Sequence, residues 1–317
     1  MKEQINLVTL AKHFSDEDSA RELFEGMRWK DGVVCPHCES KDGAYKIEAK
    51  STKGRKARKG LYKCSDCRKQ FTVTVGTIFE SSRIPLNKWL LAIHLICSSK
   101  KGMSAHQLHR MLDITYKSAW FMAHRIRYAM TQEPLFSKLS GTVEADETYV
   151  GGKSKNMHKS VREQKIKGRG AVGKAPVVTL VERDGRVKSQ YMESVTGENL
   201  KKALTECVEA DACINTDESP SYSFAKDSFS EHKAVNHKKG EYVRGDAHVN
   251  TAEPVHALLK RGIIGTFHHV SKKHLHRYLN EFDFRFNTRK ITDGERTLEA
   301  IKGFEGKRLM YKGSHKN

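Results

Sequence analysis

Two cysteine pairs, Cys35-Pro-His-Cys38 and Cys64-Ser-Asp-Cys67, decide the fold of the N-terminal part of this chain. Each pair has the spacing Cys-x-x-Cys, and 25 residues separate Cys38 from Cys64. In a zinc ribbon, two such knuckles each offer two thiolates to one tetrahedral metal ion. A hydrophobic core does not require cysteine at this spacing. The pattern therefore predicts one structural zinc ion held by all four cysteines, within a region of residues 1–80 that also contains an N-terminal helix.

The charge of the chain favours a polyanionic partner. Its 317 residues include 57 Lys and Arg against 38 Asp and Glu, which gives a formal net charge of +19. Nucleic acid is the polyanion we expect. A ribosomal or histone-like protein would have a similar charge, but the length of the chain and its few low-complexity runs argue against that class.

The sequence predicts a cytoplasmic protein without a membrane partner. Its first residues, MKEQINLVTLAKHF, lack the apolar core and the cleavage site of a signal peptide. No stretch approaches the roughly 18 apolar residues that span a bilayer. Cys97, Cys207 and Cys213 show no pairing pattern, so we expect them to be reduced thiols.

A helical segment is predicted after the ribbon, over residues 81–138. Apolar residues follow a helical period from Leu86 to Met130, with a second helix that begins near Met103 and a third near Tyr116. Two short helices joined by a tight turn resemble a helix-turn-helix, and Arg125 and Arg127 on the last helix are then expected DNA contacts. A plain helical connector is the alternative, since helix pairs are common.

The hydrophobic period changes at Gly141, where an α/β domain is predicted to begin. The predicted order of elements is strand, hairpin, helix, strand and helix, which is typical of a ribonuclease-H-like domain with a mixed sheet. We expect this domain to occupy residues 139–300 and a basic tail with little structure to occupy residues 301–317. The whole chain is therefore predicted to be a multidomain protein.

Carboxylates are scarce in so basic a chain, and three of them lie where elements begin or end. Asp146 lies in a predicted strand, Asp217 ends a second strand, and Glu253 begins a helix that carries Lys260 two turns later. Three such carboxylates can hold two divalent cations for an in-line displacement at phosphate. Mg²⁺ and Mn²⁺ prefer these oxygen ligands.

Each of these carboxylates has an ordinary structural alternative. Glu144 or Glu147 could be the ligand instead of Asp146, and Asp217 competes with Asp211 and Glu218. Glu253 also fits a capping box that begins at Asn250. The intervals of 71 residues from Asp146 to Asp217 and 36 residues from Asp217 to Glu253 favour the functional interpretation.

Basic residues surround these carboxylates in the sequence. The segment from Gly151 to Ala175 carries eight Lys and Arg against one Glu, and it follows directly after the first acidic strand. Such a loop can follow DNA phosphates, although it could also be an ordinary solvated loop. We select Lys153, Lys155 and Arg261 as expected DNA contacts.

Taken together, these motifs resemble the DDE transposases of bacterial insertion sequences, in the ISXO-like group that carries a zinc ribbon ahead of an integrase-like domain. The resemblance covers about residues 15–290. It rests on the cysteine pairs and on the following segments: Trp29-Lys-Asp-Gly32, Val75-Gly-Thr-Ile-Phe-Glu80, Asp146-Glu-Thr-Tyr-Val-Gly-Gly-Lys153, His248-Val-Asn-Thr251, Leu259-Lys-Arg-Gly262 and Arg277-Tyr-Leu-Asn-Glu281.

The resemblance implies a catalytic triad of Asp146, Asp217 and Glu253, followed by Lys260 as the basic residue that contacts the DNA end. Related sequences vary at the third position, so His248 and Asn250 are back-up ligands. The group usually has aromatic residues after the glutamate, and this chain departs from it with Pro254-Val255-His256.

The implied function is DNA transposition in the bacterial cytoplasm, in association with the nucleoid. The protein is expected to bind terminal inverted repeats, cut the donor strand and join the 3′ hydroxyl to target DNA, as a homo-oligomer that brings two ends together. Two alternatives are a nuclease of the same fold that does not join strands and a degenerate copy that only binds DNA.

Overall fold

The computed structural model of the chain describes residues 5–41, 43–48, 59–131, 137–152, 154–166, 168, 171–183, 185–235, 243 and 248–311. The chain forms two compact units. One unit contains Met1–Met130 together with Ile291–Asn317, and the other contains Thr131–Lys290. The first unit is therefore built from two separate stretches of sequence.

Six of the described helices belong to the first unit. Asp16 caps the second of them by accepting from the backbone N–H groups of Asp18 and Ser19, which is the ordinary way to satisfy a helix N-terminus. The six helices are α1 (Leu7–His13), α2 (Glu17–Arg28), α3 (Leu86–Ser98), α4 (Ala105–Leu112), α5 (Tyr116–Ala129) and α11 (Asp293–Lys302).

A small antiparallel sheet lies between α2 and α3 in the sequence. Its strands β1 (Ala44–Lys46), β2 (Tyr62–Cys64) and β3 (Gln70–Phe71) pair in the order β1-β2-β3. The rings of Trp29 and Tyr62 meet at 4.9 Å, and Tyr62 stacks on Phe71 at 5.8 Å. These aromatic contacts supply the packing that three short strands cannot provide alone.

Helices α4 and α5 have the connectivity expected of a helix-turn-helix. Asp113 ends α4 in the left-handed conformation with φ of 48°, and Thr115 caps α5 by accepting from the backbone N–H of Ser118. Only three residues therefore connect the two helices, as the sequence predicts.

The C-terminal stretch differs from the basic tail that the sequence predicts. Helix α11 returns to α3, where His94 Nδ1 and Thr297 Oγ1 lie 3.0 Å apart in a buried contact. Phe304 is 2% exposed and packs against Phe79 at 5.4 Å. The expected boundary at residue 300 is therefore wrong for this unit, because apolar side chains on both sides of it share one core.

The second unit contains a five-stranded mixed sheet in the order β6-β5-β4-β7-β8. Strand β4 pairs antiparallel with β5 and parallel with β7, so the direction of pairing changes at β4. The strands are β4 (Thr142–Val150), β5 (Ala175–Glu182), β6 (Val187–Tyr191), β7 (Cys213–Asp217) and β8 (Glu231–Val235).

Helices cover both faces of this sheet. One face buries Val143, Ala145 and Ile214 against Leu200 and Leu204 of α7. The other buries Val150 and Val177 against side chains of α9 and α10. The helices of this unit are α6 (Lys159–Lys165), α7 (Gly197–Cys207), α8 (Ala225–Ser228), α9 (Ala252–Gly262) and α10 (Lys272–Asn287), and a π-helical turn (Ile263–Phe267) directly follows α9.

Side chains of α10 cover the outer edge of β6. Asp283 Oδ2 accepts from the backbone N–H of Ser189 at 2.6 Å, and Asn287 Oδ1 accepts from the backbone N–H of Val187 at 2.7 Å. Asn287 also donates to the carbonyl of Val187 at 3.1 Å. Backbone groups that an edge strand would otherwise present to another chain are thus occupied within the unit.

Within the described residues, no helix is both long enough and apolar enough to cross a membrane.

Candidate functional site

Asp146 and Asp217 occupy neighbouring positions on two parallel strands. The pairing of β4 with β7 runs from Thr142 opposite Cys213 to Glu144 opposite Asn215. Two residues further along each strand lie Asp146 and Asp217, on the sheet face that α9 covers, because side chains alternate along a strand. Both are partly exposed. This point, just beyond the end of β7 where pairing changes direction, is where open α/β sheets commonly bind ligands.

Asp146 has a partner on each of its two oxygens. Oδ1 accepts from the backbone N–H of Glu147 at 2.8 Å, and Oδ2 lies 3.4 Å from Nδ1 of His256 on α9. His256 is only 6% exposed, and its Nε2 is buried without a hydrogen-bond partner in the described part of the chain. A buried imidazole therefore orients the first predicted catalytic carboxylate.

Glu147 lies on the opposite face of β4 but belongs to the same acidic group. Tyr222 donates a hydrogen bond to its Oε1 at 2.5 Å. Burial raises the pKa of Glu147 to about 7, and the charges of Asp217 and Asp146 act in the same direction, while the Tyr222 hydrogen bond opposes them. The middle of β4 and the end of β7 therefore bring three carboxyl groups close enough to influence one another.

Glu144, which the sequence left open as an alternative ligand, anchors the start of α9. It is fully buried and accepts from the backbone N–H of Thr251 at 2.8 Å and from its hydroxyl at 3.0 Å. His248 Nδ1 lies 3.0 Å from the same carboxylate, and Arg183 approaches it at 3.5 Å. His248, a back-up third ligand, thus lies beside Glu144, and Asn250 is exposed.

Glu253 is exposed on the first turn of α9. It precedes His256 by three residues, so both project from one side of the helix. Among the described residues, the four cysteines form the only set of three or more His, Cys, Asp or Glu whose ligand atoms all lie within 4.8 Å. The structure therefore places Asp146 in the middle of β4 and Asp217 at the end of the neighbouring strand β7, but it does not gather the three predicted acids into such a set.

The predicted DNA contacts divide into exposed and buried groups. Lys260 and Arg261 are exposed on the last turn of α9, and Lys155 is exposed after β4. Lys153 lies outside the described residues. Exposure leaves these cations accessible to DNA, and their contact with phosphates stays a prediction.

Arg125 and Arg127 do not suit contact with DNA, because they are only 4% and 2% exposed. Arg125 donates to the carbonyl of Glu80 at 2.7 Å and lies 4.6 Å from the ring centre of Phe121. The structure therefore argues against the expectation that these two residues bind DNA, because both of the sides of α5 that carry them are buried within the first unit.

The four cysteines have the geometry of a tetrahedral metal site. The Sγ atoms of Cys35 and Cys67 lie 3.7 Å apart, and those of Cys38 and Cys64 lie 3.6 Å apart. Four sulfurs at a zinc–sulfur distance of about 2.3 Å are separated by about 3.8 Å. Backbone N–H groups of Cys67 and Asp66 lower the pKa of the Cys64 thiol to about 7, which favours the thiolate that zinc binds.

The two knuckles repeat one backbone conformation. Cys35 N–H donates to the carbonyl of Ser40 at 2.9 Å, and Cys64 N–H donates to that of Lys69 at 3.1 Å. The residue after each second cysteine, Glu39 or Arg68, is left-handed with φ of 61° or 60°. Each loop thereby turns its two thiols toward one point, and the donor set fits zinc.

His256 was not predicted as a member of the site, and Glu147 was predicted only as an alternative to Asp146. For His256 a signal was present, because a histidine three residues after Glu253 replaces the aromatic residue that the resemblance leads one to expect. The sequence named Glu147 as an alternative ligand. Its contact with Tyr222 could not be predicted, because Tyr222 is 75 residues away and no local pattern marks such a tertiary contact.

A cysteine-rich ribbon together with acidic strand ends in a mixed α/β sheet defines a class, the zinc-ribbon transposases. The profile of the ISXO2-like transposase domain matches residues 138–287, and that of the transposase zinc-ribbon domain matches residues 15–70. An uncharacterized protein in the transposable element ISH50 of Halobacterium salinarum is 31% identical over 286 residues, which cover 86% of this chain and 92% of that protein. This chain belongs to the ISXO2-like DDE transposases of insertion sequences.

Proposed function

We propose that this protein is an active transposase that cuts DNA at the ends of its element and joins the free 3′ hydroxyl to target DNA. The observation that carries the proposal is the placement of Asp146 on β4 and Asp217 at the end of β7, two residues beyond the last paired positions of these neighbouring parallel strands, in a chain of this family. Phosphoryl transfer needs anionic ligands for metal ions at one point, and these two carboxylates are the proposed ligands.

The sheet supports a ribonuclease-H-like fold for the catalytic unit. The first three strands, β4, β5 and β6, are sequentially antiparallel, and β7 and β8 run parallel to β4 on its other side. In chain order, Asp146 lies on the first strand of this sheet, β4, and Asp217 ends its fourth strand, β7.

Asp146 and Asp217 are the proposed ligands for Mg²⁺ or Mn²⁺, since carboxylate oxygens match these hard cations. Two such ions, when bound, would activate the attacking oxygen and stabilise the leaving oxygen. Glu253 is the proposed third ligand, and α9 presents it one turn before His256. We prefer it to His248, which lies beside Glu144.

DNA is the proposed partner of both units. Lys260 and Arg261 lie at the end of α9, so they are suited to hold phosphates next to the acids. The ribbon, together with α4 and α5, is the proposed reader of the terminal inverted repeats, and its zinc ion is structural. Because two element ends must react together, we expect a homo-oligomer on DNA.

Strand cleavage and strand transfer assays test this function. With Mg²⁺ or Mn²⁺ and a duplex that carries the terminal repeat, the wild-type protein should nick the end and join a pre-cleaved end to a plasmid. Asp146→Asn and Asp217→Asn should abolish both reactions. Asp211→Asn is the matched control, because Asp211 is an exposed carboxylate of the same unit, and it should remain active.

Each alternative function gives a different result. Cleavage without joining of pre-cleaved ends would indicate a nuclease of the same fold. Specific binding to the repeat without either reaction would indicate a degenerate copy. Activity that survives both Asp146→Asn and Asp217→Asn would show that the assignment of the acids is wrong.

A further inference from the structure

A pocket opens beside the acidic strand ends within the second unit. It has a volume of about 420 Å³ and is lined by the end of β4, from Glu147 to Gly151, and by Ala171, Lys174, Lys260, Ile263 and Ile264. We call it the end pocket. Its volume lies in the range of small-ligand sites, about 300 to 1,000 Å³. Nothing in the function proposed above requires a pocket of this kind.

The wall of the end pocket is apolar and partly open to solvent. Tyr149 is 39% exposed and Ile264 is 66% exposed, although both are large hydrophobic residues. Ile264 lies in the π-helical turn Ile263–Phe267 that extends α9, and such turns are frequent at functional sites. A lining that includes an exposed tyrosine and an exposed aliphatic side chain suits a flat, apolar ligand that can stack.

The lining of the end pocket carries both cations and a carboxyl group. Lys174 and Lys260 are the two cations of the lining. Glu147 also lines the pocket, and its pKa responds to the charges of Asp146 and Asp217, so the pocket adjoins the proposed catalytic acids. A ligand with a flat apolar part and an anionic part, placed next to a phosphoryl-transfer site, has the chemistry of a nucleotide.

We propose that the end pocket holds one unstacked nucleobase of the DNA strand next to the reacting phosphate. The base stacks on Tyr149 in a pocket whose lining also includes Ile264, while Lys174 and Lys260 contact neighbouring phosphates. This inference rests on the proposed function, because it takes DNA as the substrate. Extrusion of a base fixes the position of the strand relative to Asp146 and Asp217, since unstacking is tolerated only where a pocket replaces the lost contacts.

A thermodynamic cycle between protein and DNA tests the pocket. Binding of the full-length, zinc-loaded protein is measured in Ca²⁺, without cleavage, to a duplex that carries the terminal repeat and its flank. A series of duplexes has an abasic site at each successive position across the end. Tyr149→Ala should weaken binding to the intact duplex about 5- to 100-fold, the range of base–aromatic stacking.

We expect the effect of Tyr149→Ala on binding to be coupled to the abasic site at a single position of the duplex. On the duplex whose abasic site removes the extruded base, Tyr149→Ala should cost nothing further, whereas at other positions its cost should persist. Tyr149→Phe keeps the ring and should bind like wild type, while Tyr149→Leu should behave like Tyr149→Ala. Lys174→Gln should weaken binding equally on every duplex, because a phosphate contact does not depend on the base.

Two results would overturn the proposal. One is an equal cost of Tyr149→Ala on every abasic duplex, and the other is no cost on any duplex while thermal unfolding shows that the variant is folded. The cleavage assay is interpreted separately from the binding assay. If the wild-type protein cleaves, Asp146→Asn does not, and binding shows no coupling, then the pocket alone is rejected. If binding shows coupling but the wild-type protein never cleaves, then the pocket is retained and the enzymatic function is rejected.

Discussion

The two oxygens of Asp146 are held from different directions, by the backbone of Glu147 and by the imidazole of His256. A carboxylate that binds a metal ion loses affinity when it can rotate, so partners of this kind commonly matter almost as much as the ligands themselves. His256 is thus a positioning residue rather than a catalytic one.

His256→Ala should reduce strand cleavage about 10- to 100-fold and raise the Mg²⁺ concentration needed for half-maximal activity. His256→Asn keeps a side-chain N–H near the place of Nδ1 and should recover most of the loss. Titration of cleavage rate against Mg²⁺ measures both. If both variants lose rate at saturating Mg²⁺ with an unchanged half-maximal concentration, His256 does not act through the metal ligand.

At the residue scale, the sequence predicted which acids belong to the candidate site better than it predicted how side chains are buried. Asp146 and Asp217 were found because acids at strand ends are conspicuous in a basic chain. Arg125 and Arg127 were misjudged because an arginine in a short helix looks the same whether its face meets DNA or packs on Phe121 and the backbone of Glu80. Burial depends on distant parts of the chain, which a local pattern does not contain.

At the scale of elements, the cover of β6 by α10 introduces a titratable group into the interior. Burial raises the pKa of Asp283 to about 8 from an ordinary value of 3.8, against the opposing hydrogen bonds from Ser189. Because the folded state holds this proton more tightly than the unfolded state, the associated stability is fully present below pH about 4. It declines as the pH rises, and the decline ends near pH 8.

Within this window the free energy of unfolding should fall by at most about 1.4 kcal/mol per pH unit from this group. Asp283→Asn should remove that dependence and make the protein more stable than wild type at pH 8, since an amide remains neutral and its oxygen still accepts from Ser189. Urea unfolding at several pH values measures the slope. An identical slope in the variant would mean that Asp283 stays ionised in the folded state.

The ribbon depends on its metal ion because β1, β2 and β3 are too short to form a stable sheet alone. Removal of zinc by a chelator should unfold these strands, which hydrogen exchange of their amides would detect. Cobalt substitution should give the spectrum of four thiolates, and Cys213→Ser, outside the cluster, should leave that spectrum unchanged. A spectrum of three thiolates or fewer would contradict the closed site.

The elements themselves were largely predictable, whereas their partners were not. Period and turn signals predicted the three helices after the ribbon, and the strand and hairpin that begin the second unit. The contact of α11 with α3 was missed because an amphipathic helix shows that one face is buried but not which distant helix buries it.

At the scale of the whole molecule, the chain leaves the first unit after Met130 and returns to it at Ile291. Phe304 is the clearest sign of this return, since it packs against Phe79 and, at 6.0 Å, Phe24. Phe304→Ala should destabilise the first unit by about 3 to 5 kcal/mol, the usual cost of such a truncation in a core.

Met310→Ala is the matched control, because Met310 is 51% exposed in the same C-terminal stretch, and it should change stability little. Denaturant unfolding followed by tryptophan fluorescence measures both variants, since all three tryptophans of the chain, Trp29, Trp89 and Trp120, belong to this unit. Equal stabilities of the two variants would show that the C-terminal stretch is dispensable.

The return of the chain also sets an order of events during synthesis. A ribosome must translate the entire second unit before it reaches Phe304, so the nascent N-terminal unit cannot complete its core early. An element copy with a premature stop codon in the catalytic region would then yield an N-terminal unit that lacks α11 and Phe304 from its core. We expect such a fragment to be less stable than the same unit in the full-length protein, and so a poor competitor for the repeats.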